Sequence, residues 1–225
     1  MRLGFHYHIP AEMRNGRIYT LSLQGLFIDN LAPFCERMIL FLYKPLKAEV
    51  ETLDYAIQSD NVELVSLVKH YSIPVRLLLQ HSIRKKIRQR VNDMDILLMR
   101  APTPLLPLIA QDVKGKIAFA YLVVGEMSDH IDNIPQAWWR RGMLKKYILW
   151  NEERQRQFAP DALVFANSAV VFEKYKAMAK KAALVYTTTL QKKDFFFKED
   201  TCQQRPIEIL FSGRIERGKG ILEIT

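Results

Sequence analysis

At 225 residues, with 49% hydrophobic and 25% charged side chains, the chain is long enough to bury a sizeable core and too apolar for a disordered segment. Its formal net charge of +9 points to an anionic partner, whether nucleic acid, an acidic membrane surface or a phosphorylated substrate, without specifying a fold. Cys35 and Cys202 have no C-x-x-C spacing and read as reduced thiols of a cytosolic protein, "MRLGFHYHIP" lacks the apolar centre of a signal peptide, and no apolar run approaches the roughly 20 residues of a membrane span.

In chain order, "RLGFHYH" (2–8) predicts a first strand, and "NGRIYTLSLQGLFIDNLA" (15–32) a helix with Ile18, Leu21, Gly25 and Ile28 at helical spacing. Strands follow at 37–43 and, less strongly patterned, at 62–67. Residues 76–94 predict an amphipathic helix, because Leu79, Ile83, Ile87 and Val91 form one stripe while Arg84, Lys85, Arg88 and Arg90 lie largely off it. A strand at 95–102 leads through prolines into a short helix at 104–111. "IAFAYLVVG" (117–125) is the most apolar strand, and a long helical region covers about 136–158. The strand "ALVFAN" (162–167) precedes Ser168, a candidate N-cap for the next helix, and a further short strand covers 183–188. Residues 191–206 read as a linker, and "IEILFSG" (207–213) opens a new unit.

Strands alternating with helices, each strand nearly continuous in apolar residues, predict an α/β fold: a Rossmann-like open parallel sheet with helices on both faces. Ligands of such sheets bind beyond the carboxyl ends of the strands. The expected organisation is one domain over 1–190, the linker 191–206, and the first strand and turn of a second Rossmann-like domain over 207–225. Because a helix starting at Gly220 would have nothing to pack on, a second domain cut just after its start is expected.

"ILFSGRIERGKG" (209–220) contains Gly-x4-Gly-Lys, as a P-loop does, but Gly220 stands where a P-loop needs Ser or Thr for magnesium. The longer stretch "ILFSGRIERGKGILEI" (209–224) resembles the opening of the second domain of GT-B glycosyltransferases, in particular the large retaining family 4: an apolar strand, Gly-Arg-aliphatic, a few polar residues, then Lys-Gly and an apolar helix. "GLFIDNLAPFCERMILFLY" (25–43), "DILLMRAP" (95–102), "YLVVGEMSD" (121–129) and "DALVFANSAVVFEKY" (161–175) are similar to first-domain segments of bacterial surface-polysaccharide members.

The resemblance implies sugar transfer from a nucleotide-sugar to a glycan or lipid-linked acceptor, with retention at the anomeric carbon. It places the acceptor on the first domain and the donor diphosphate against Gly213, Arg214 and Lys219 of the second. It implies no cofactor and no metal: cations and backbone amides would stabilise the leaving diphosphate. In the loop "GEMSDHID", Glu126, Asp129 and His130 are candidates for the family's active-site residue, and Glu126 is the first choice. Asn15, Gly16 and Arg100 are candidates for the acceptor or cleft loops, although "IPAEMRNGRIYT" replaces the Gly-Gly loop that many members carry. The family's later E-x7-E motif is not in the sequence. Lipid-linked acceptors imply a cytoplasmic protein lying peripherally on the inner face of the plasma membrane. "AWWRRGMLKKYILW" (137–150) and "RKKIRQR" (84–90) mix basic and apolar residues as a membrane-surface segment does, and also as ordinary solvated helices do. His6 and His8 share one face of a strand, without a third metal ligand. The alternatives are a basic Rossmann-like module that binds anionic membrane or nucleic acid without catalysis, and a P-loop phosphotransferase; no RNA-binding signature favours nucleic acid.

Overall fold

The computed structural model describes residues 1–128 and 138–186, without the side chains of Trp138 and Trp139. The expected linker and second-domain start therefore lie outside the described residues.

Seven strands build one parallel sheet: β1 (Arg2–Arg14), β3 (Arg37–Lys44), β5 (Val62–Lys69), β6 (Ile96–Ala101), β7 (Ala118–Val123), β8 (Leu163–Ala166) and β9 (Lys181–Leu184). Their pairings give the order β5-β3-β1-β6-β7-β8-β9. The chain starts in the middle, winds outward through β3 and β5, then returns to the other side of β1 and winds the opposite way. This is the doubly wound order of Rossmann-like folds, and it leaves a crevice where the winding reverses, between β1 and β6.

The central strands β3, β6 and β7 are buried on both faces, which explains their near-continuous apolar sequences, while the edge strands β5 and β9 are only partly covered. On one face Phe5, Leu40, Leu42 and Leu98 pack with Ile28 of helix α1 (Ser22–Leu31). On the other, Ile39, Phe41, Leu97, Met99 and Tyr121 pack beneath α3 (Gln80–Arg88), α4 (Leu106–Val113) and α6 (Ala169–Lys176). Ser168 caps α6, its hydroxyl accepting from the Val171 N–H at 3.3 Å. The long helix α5 (Trp138–Gln157) precedes β8 and packs through polar contacts. Asn151 donates to the Pro104 carbonyl at 2.8 Å, and Gln155 to the Tyr175 hydroxyl at 2.9 Å.

Two predicted helices are corrected. The helix expected over 15–32 starts only at Ser22, because β1 runs on to Arg14 and turns back into β2 (Arg17–Thr20). Arg14 pairs with Arg17 and Ala11 with Thr20, so Asn15 and Gly16 are the whole turn. Their φ angles of 48° and 77° are those of a tight hairpin turn that matches strand twist. The alternation Arg17-Ile18-Tyr19-Thr20 carries strand period, and the hairpin gains a third strand, β4 (Tyr55–Ala56). The helix expected over 76–94 is divided: α2 (Ile73–Leu78) ends where Leu79 leaves helical geometry at ψ 8°, and α3 begins at Gln80. The apolar stripe survives this break, with Ile83, Ile87 and Val91 buried.

Candidate functional site

Beyond His6 the two central strands slip in register. His6 lies opposite Phe41, but Pro10 lies opposite Tyr43, so β1 carries two extra residues over this step. Pro10 has no N–H for the ladder, and such bulges re-aim side chains at sheet ends. His6 and His8 thus stand where the regular parallel pairing of β1 ends. The His6 ring is fully buried and meets Tyr43 edge-on at 6.3 Å between centroids. Tyr43 in turn packs against His70, just after β5, at 5.9 Å.

Arg76, on α2, covers this stack, its guanidinium carbon 5.2 Å from the centre of the Tyr43 ring. It is 6% exposed. Its Nε and Nη1 are sealed from solvent with no hydrogen-bond partner, and it forms no ion pair, among the described residues. The nearby carboxylate, Glu49, is already committed: it bonds His70 Nδ1 at 2.7 Å and accepts from the Leu46 N–H at 2.7 Å. Burial pushes the Glu49 carboxyl up, but these bonds and Arg76 outweigh it and hold the group below its ordinary range. His70, Arg76 and Glu49 line a cleft of about 550 Å³, completed by Tyr71, Ile73, Pro74 and, from α5, Arg140 and Leu144.

The neighbourhood is hostile to protonated imidazole. Burial, then His8 and Arg76, hold the His6 pKa down to about 3. Burial, then Arg76, His70 and Arg100, hold that of His8 down to about 4. The Tyr43 hydroxyl is pushed up to about 12 by burial, with Arg76 pulling the other way. Near neutral pH the site therefore holds two neutral imidazoles beside a buried guanidinium, a donor-rich and electropositive arrangement.

Arg100 is brought to the same reversal point from the other face of the sheet. It ends β6, donates to the Gln24 side chain, and stacks over Tyr7 at 4.8 Å and Phe27 at 5.8 Å. Burial draws its pKa below the ordinary value. Asn15 and Gly16 sit at the hairpin tip, where a Cβ on Gly16 would meet nothing within 4 Å. The first amide of α1, Ser22 N–H, donates to Asp54 at 2.9 Å. A side-chain carboxylate thus occupies the place where a Rossmann-like fold presents backbone amides to a ligand phosphate.

Glu126 follows β7 and is 5% exposed. Its Oε1 accepts from Arg156 at 2.8 Å and its Oε2 from Lys174. Burial raises its pKa, yet the two cationic donors outweigh burial and lower it overall. As placed, Glu126 ties the β7 loop to α5 and α6, and any catalytic use requires those cations to release it. Asp129 and His130, and the donor-diphosphate residues Gly213, Arg214 and Lys219, lie outside the described residues. Much of the basic stretch 84–90 is used internally. Arg84 pairs with Asp112 at 2.6 Å, Arg90 with Glu63 at 2.6 Å, and Lys86 donates to the Ser66 carbonyl. Among the described residues, no three His, Cys, Asp or Glu side chains are grouped to hold a metal ion.

Sequence reasoning missed Arg76, Tyr43 and His70. The only signal was the pair His6 and His8 on one strand face. The residues around that pair come from β3, the end of β5 and α2, and only the pairing of β1 with β3 and β3 with β5 brings them together. No protein-family profile matches the chain, and no curated protein matches its sequence.

Proposed function

We propose that the chain carries the acceptor-side domain of a GT-B glycosyltransferase, which moves a sugar from a nucleotide-sugar to a glycan or lipid-linked acceptor in surface-polysaccharide assembly. The observation that carries this reading is the cleft just beyond the carboxyl end of β5, lined by Arg76 and Arg140 among apolar side chains, on the side of the sheet next to the point where its winding reverses. Arg76 and Arg140, on the cleft wall, supply donors for a hydroxyl-rich or anionic acceptor. Gly213, Arg214 and Lys219 supply the donor-diphosphate contacts implied by the resemblance of 209–224 to the family. The reading includes retention and metal independence, as in that family.

A peripheral position on the cytoplasmic face of the membrane fits the outer side of α5. Met143, Leu149 and Trp150 are exposed there, at 62%, 48% and 55%, among exposed Lys145 and Lys146. No helix among the described residues is long and apolar enough to cross a membrane. The same surface favours the second reading, a basic module that docks on anionic membrane without catalysis.

The test is nucleoside diphosphate binding by the full-length gene product, followed by calorimetry with and without chelator. The expected result is saturable, chelator-resistant binding that Arg214→Ala and Lys219→Ala each weaken at least tenfold. Absence of diphosphate binding, with strongly salt-dependent binding to anionic vesicles instead, favours the module.

A further inference from the structure

We infer that the Arg76 cleft is a phosphate-ester site, and that the group bound there is a phosphate carried by the sugar acceptor. The second clause rests on the transferase reading; the site itself does not.

The buried charge of Arg76 is incompletely balanced. A guanidinium taken out of water loses several kcal/mol of solvation, and native structures offset this with a carboxylate or a full set of hydrogen bonds. Arg76 has neither. Two of its three nitrogens are sealed without a partner, and the Glu49 carboxylate near it is held by His70 and a backbone amide. A tyrosine ring beneath it gives only a modest cation–π return. The arrangement is balanced when an anion enters the cleft that Arg76 lines.

The lining points the same way, because Arg140 places a second guanidinium on the cleft wall. Arginine forks with converging N–H donors suit the tetrahedral oxygens of phosphate. The cleft is also much larger than inorganic phosphate, at about 550 Å³, and Tyr71, Ile73, Pro74 and Leu144 give it an apolar wall. That wall suits the organic part of an ester. The first helix cannot be the phosphate site in this chain, because Asp54 occupies its amino end.

A phosphate ester could be a soluble sugar phosphate or the phosphate of a lipid, and the experiment separates them. The chain is labelled with 15N on histidine and arginine, and its side-chain signals are titrated with inorganic phosphate, glucose 1-phosphate and geranyl phosphate. Saturable shifts of His70 and Arg76 are expected with inorganic phosphate, and at least tenfold tighter binding with one of the esters. Preference for glucose 1-phosphate identifies a soluble acceptor, and preference for geranyl phosphate a lipid-borne one. Arg76→Met is expected to abolish binding and to melt no lower than the parent, since it removes an unpaired buried cation. Leu144→Glu, which sets a carboxylate on the cleft wall and leaves Arg76 in place, is expected to weaken binding at least tenfold. Arg88→Met, at an exposed cation of α3, is expected to leave it unchanged. The site is overturned if phosphate produces no saturable shift at millimolar concentration, or if Arg88→Met weakens binding as much as Arg76→Met does. Binding is read without sugar transfer. A protein that binds phosphate but transfers no sugar therefore refutes only the transferase reading, and one that transfers sugar but binds no phosphate refutes only this site.

Discussion

Acidification to pH 5 should destabilise this domain well above the carboxylate range, and His6 should be a main cause. The folded state holds the His6 pKa at about 3, against a reference of 6.5. Between those values the unfolded chain takes up a proton that the native state refuses. Stability is therefore complete above pH 6.5, falls as the pH drops through it, and stops falling only near pH 3. At pH 5 one such group removes about 2 kcal/mol. For a domain of this size that is a fall in Tm of roughly 4–8 °C. His8, held down to about 4, adds a loss of the same order and sign. The two rings share Arg76 and each other as neighbours, so their contributions are not independent. Urea unfolding followed by tryptophan fluorescence between pH 7.5 and pH 5 measures the slope. His6→Phe keeps an aromatic against Tyr43 and removes the titration, and should reduce the slope by roughly half. Adding His8→Gln should leave the curve nearly flat down to pH 5. Constant parent stability across this range, or an undiminished slope in the double variant, would refute the view that burial holds His6 and His8 neutral.

Three further outcomes follow from local geometry. Gly25→Ala places a Cβ 2.1 Å from the Tyr55 ring, which Asp29 anchors through a 2.8 Å hydrogen bond; overpacking of about 1–3 kcal/mol should outweigh a helix-propensity gain of about 1. A urea melt should show net loss, and Tyr55→Ala should relieve it. Gly16→Val should cost about 1–2 kcal/mol through its φ of 77° alone, since its Cβ has open space, and Gly16→Asn distinctly less. Glu126→Gln should cost about 1–3 kcal/mol at pH 7 by removing the buried carboxylate that Arg156 and Lys174 share, a figure reduced from that of a fully buried pair because both cations are partly exposed and Arg156 keeps Glu152 and Glu153. Because the folded Glu126 pKa is lowered, the difference from the parent should shrink as the pH falls below about 4.5 and through that lowered value. A variant as stable as its parent at pH 7 would reopen the catalytic reading of Glu126.

The central parallel strands were legible because burial on both faces leaves apolar runs that little else produces, whereas the edge strand expected at 183–188 runs Lys181–Leu184 and is only partly covered. Phe119 to Val123 and Met38 to Tyr43 are almost wholly buried, and both stand out as sequence. The first hairpin was misread because Ile18, Leu21 and Gly25 happen to fall at helical spacing. The Asn15-Gly16 dipeptide was the better guide, since both residues adopt positive φ and Asn-Gly is the preferred pair for a two-residue hairpin turn. The inner side of α5 could not be read by hydropathy, because it packs with Asn151, Glu152 and Gln155. The cleft was least legible. Arg76 looks like one more cation in a basic stretch, while Arg84 and Arg90 are tied to Asp112 and Glu63. What separates Arg76 from them is that no carboxylate among the described residues bonds it directly, a property of the folded packing that no spacing rule encodes. Arg100, in contrast, could be placed from sequence, because a strand ending in Arg-x-Pro puts its last side chains at the carboxyl edge where ligands of such sheets bind.

The most direct test of the account is sugar transfer itself. The full-length gene product would be incubated with a panel of nucleotide-sugars and either a glycan or a lipid-linked acceptor, and products resolved by mass spectrometry. The account predicts release of nucleoside diphosphate with a glycosylated acceptor, retained anomeric configuration and no loss of activity with chelator. No turnover of any nucleotide-sugar, together with magnesium-dependent binding of a nucleoside triphosphate, would contradict it.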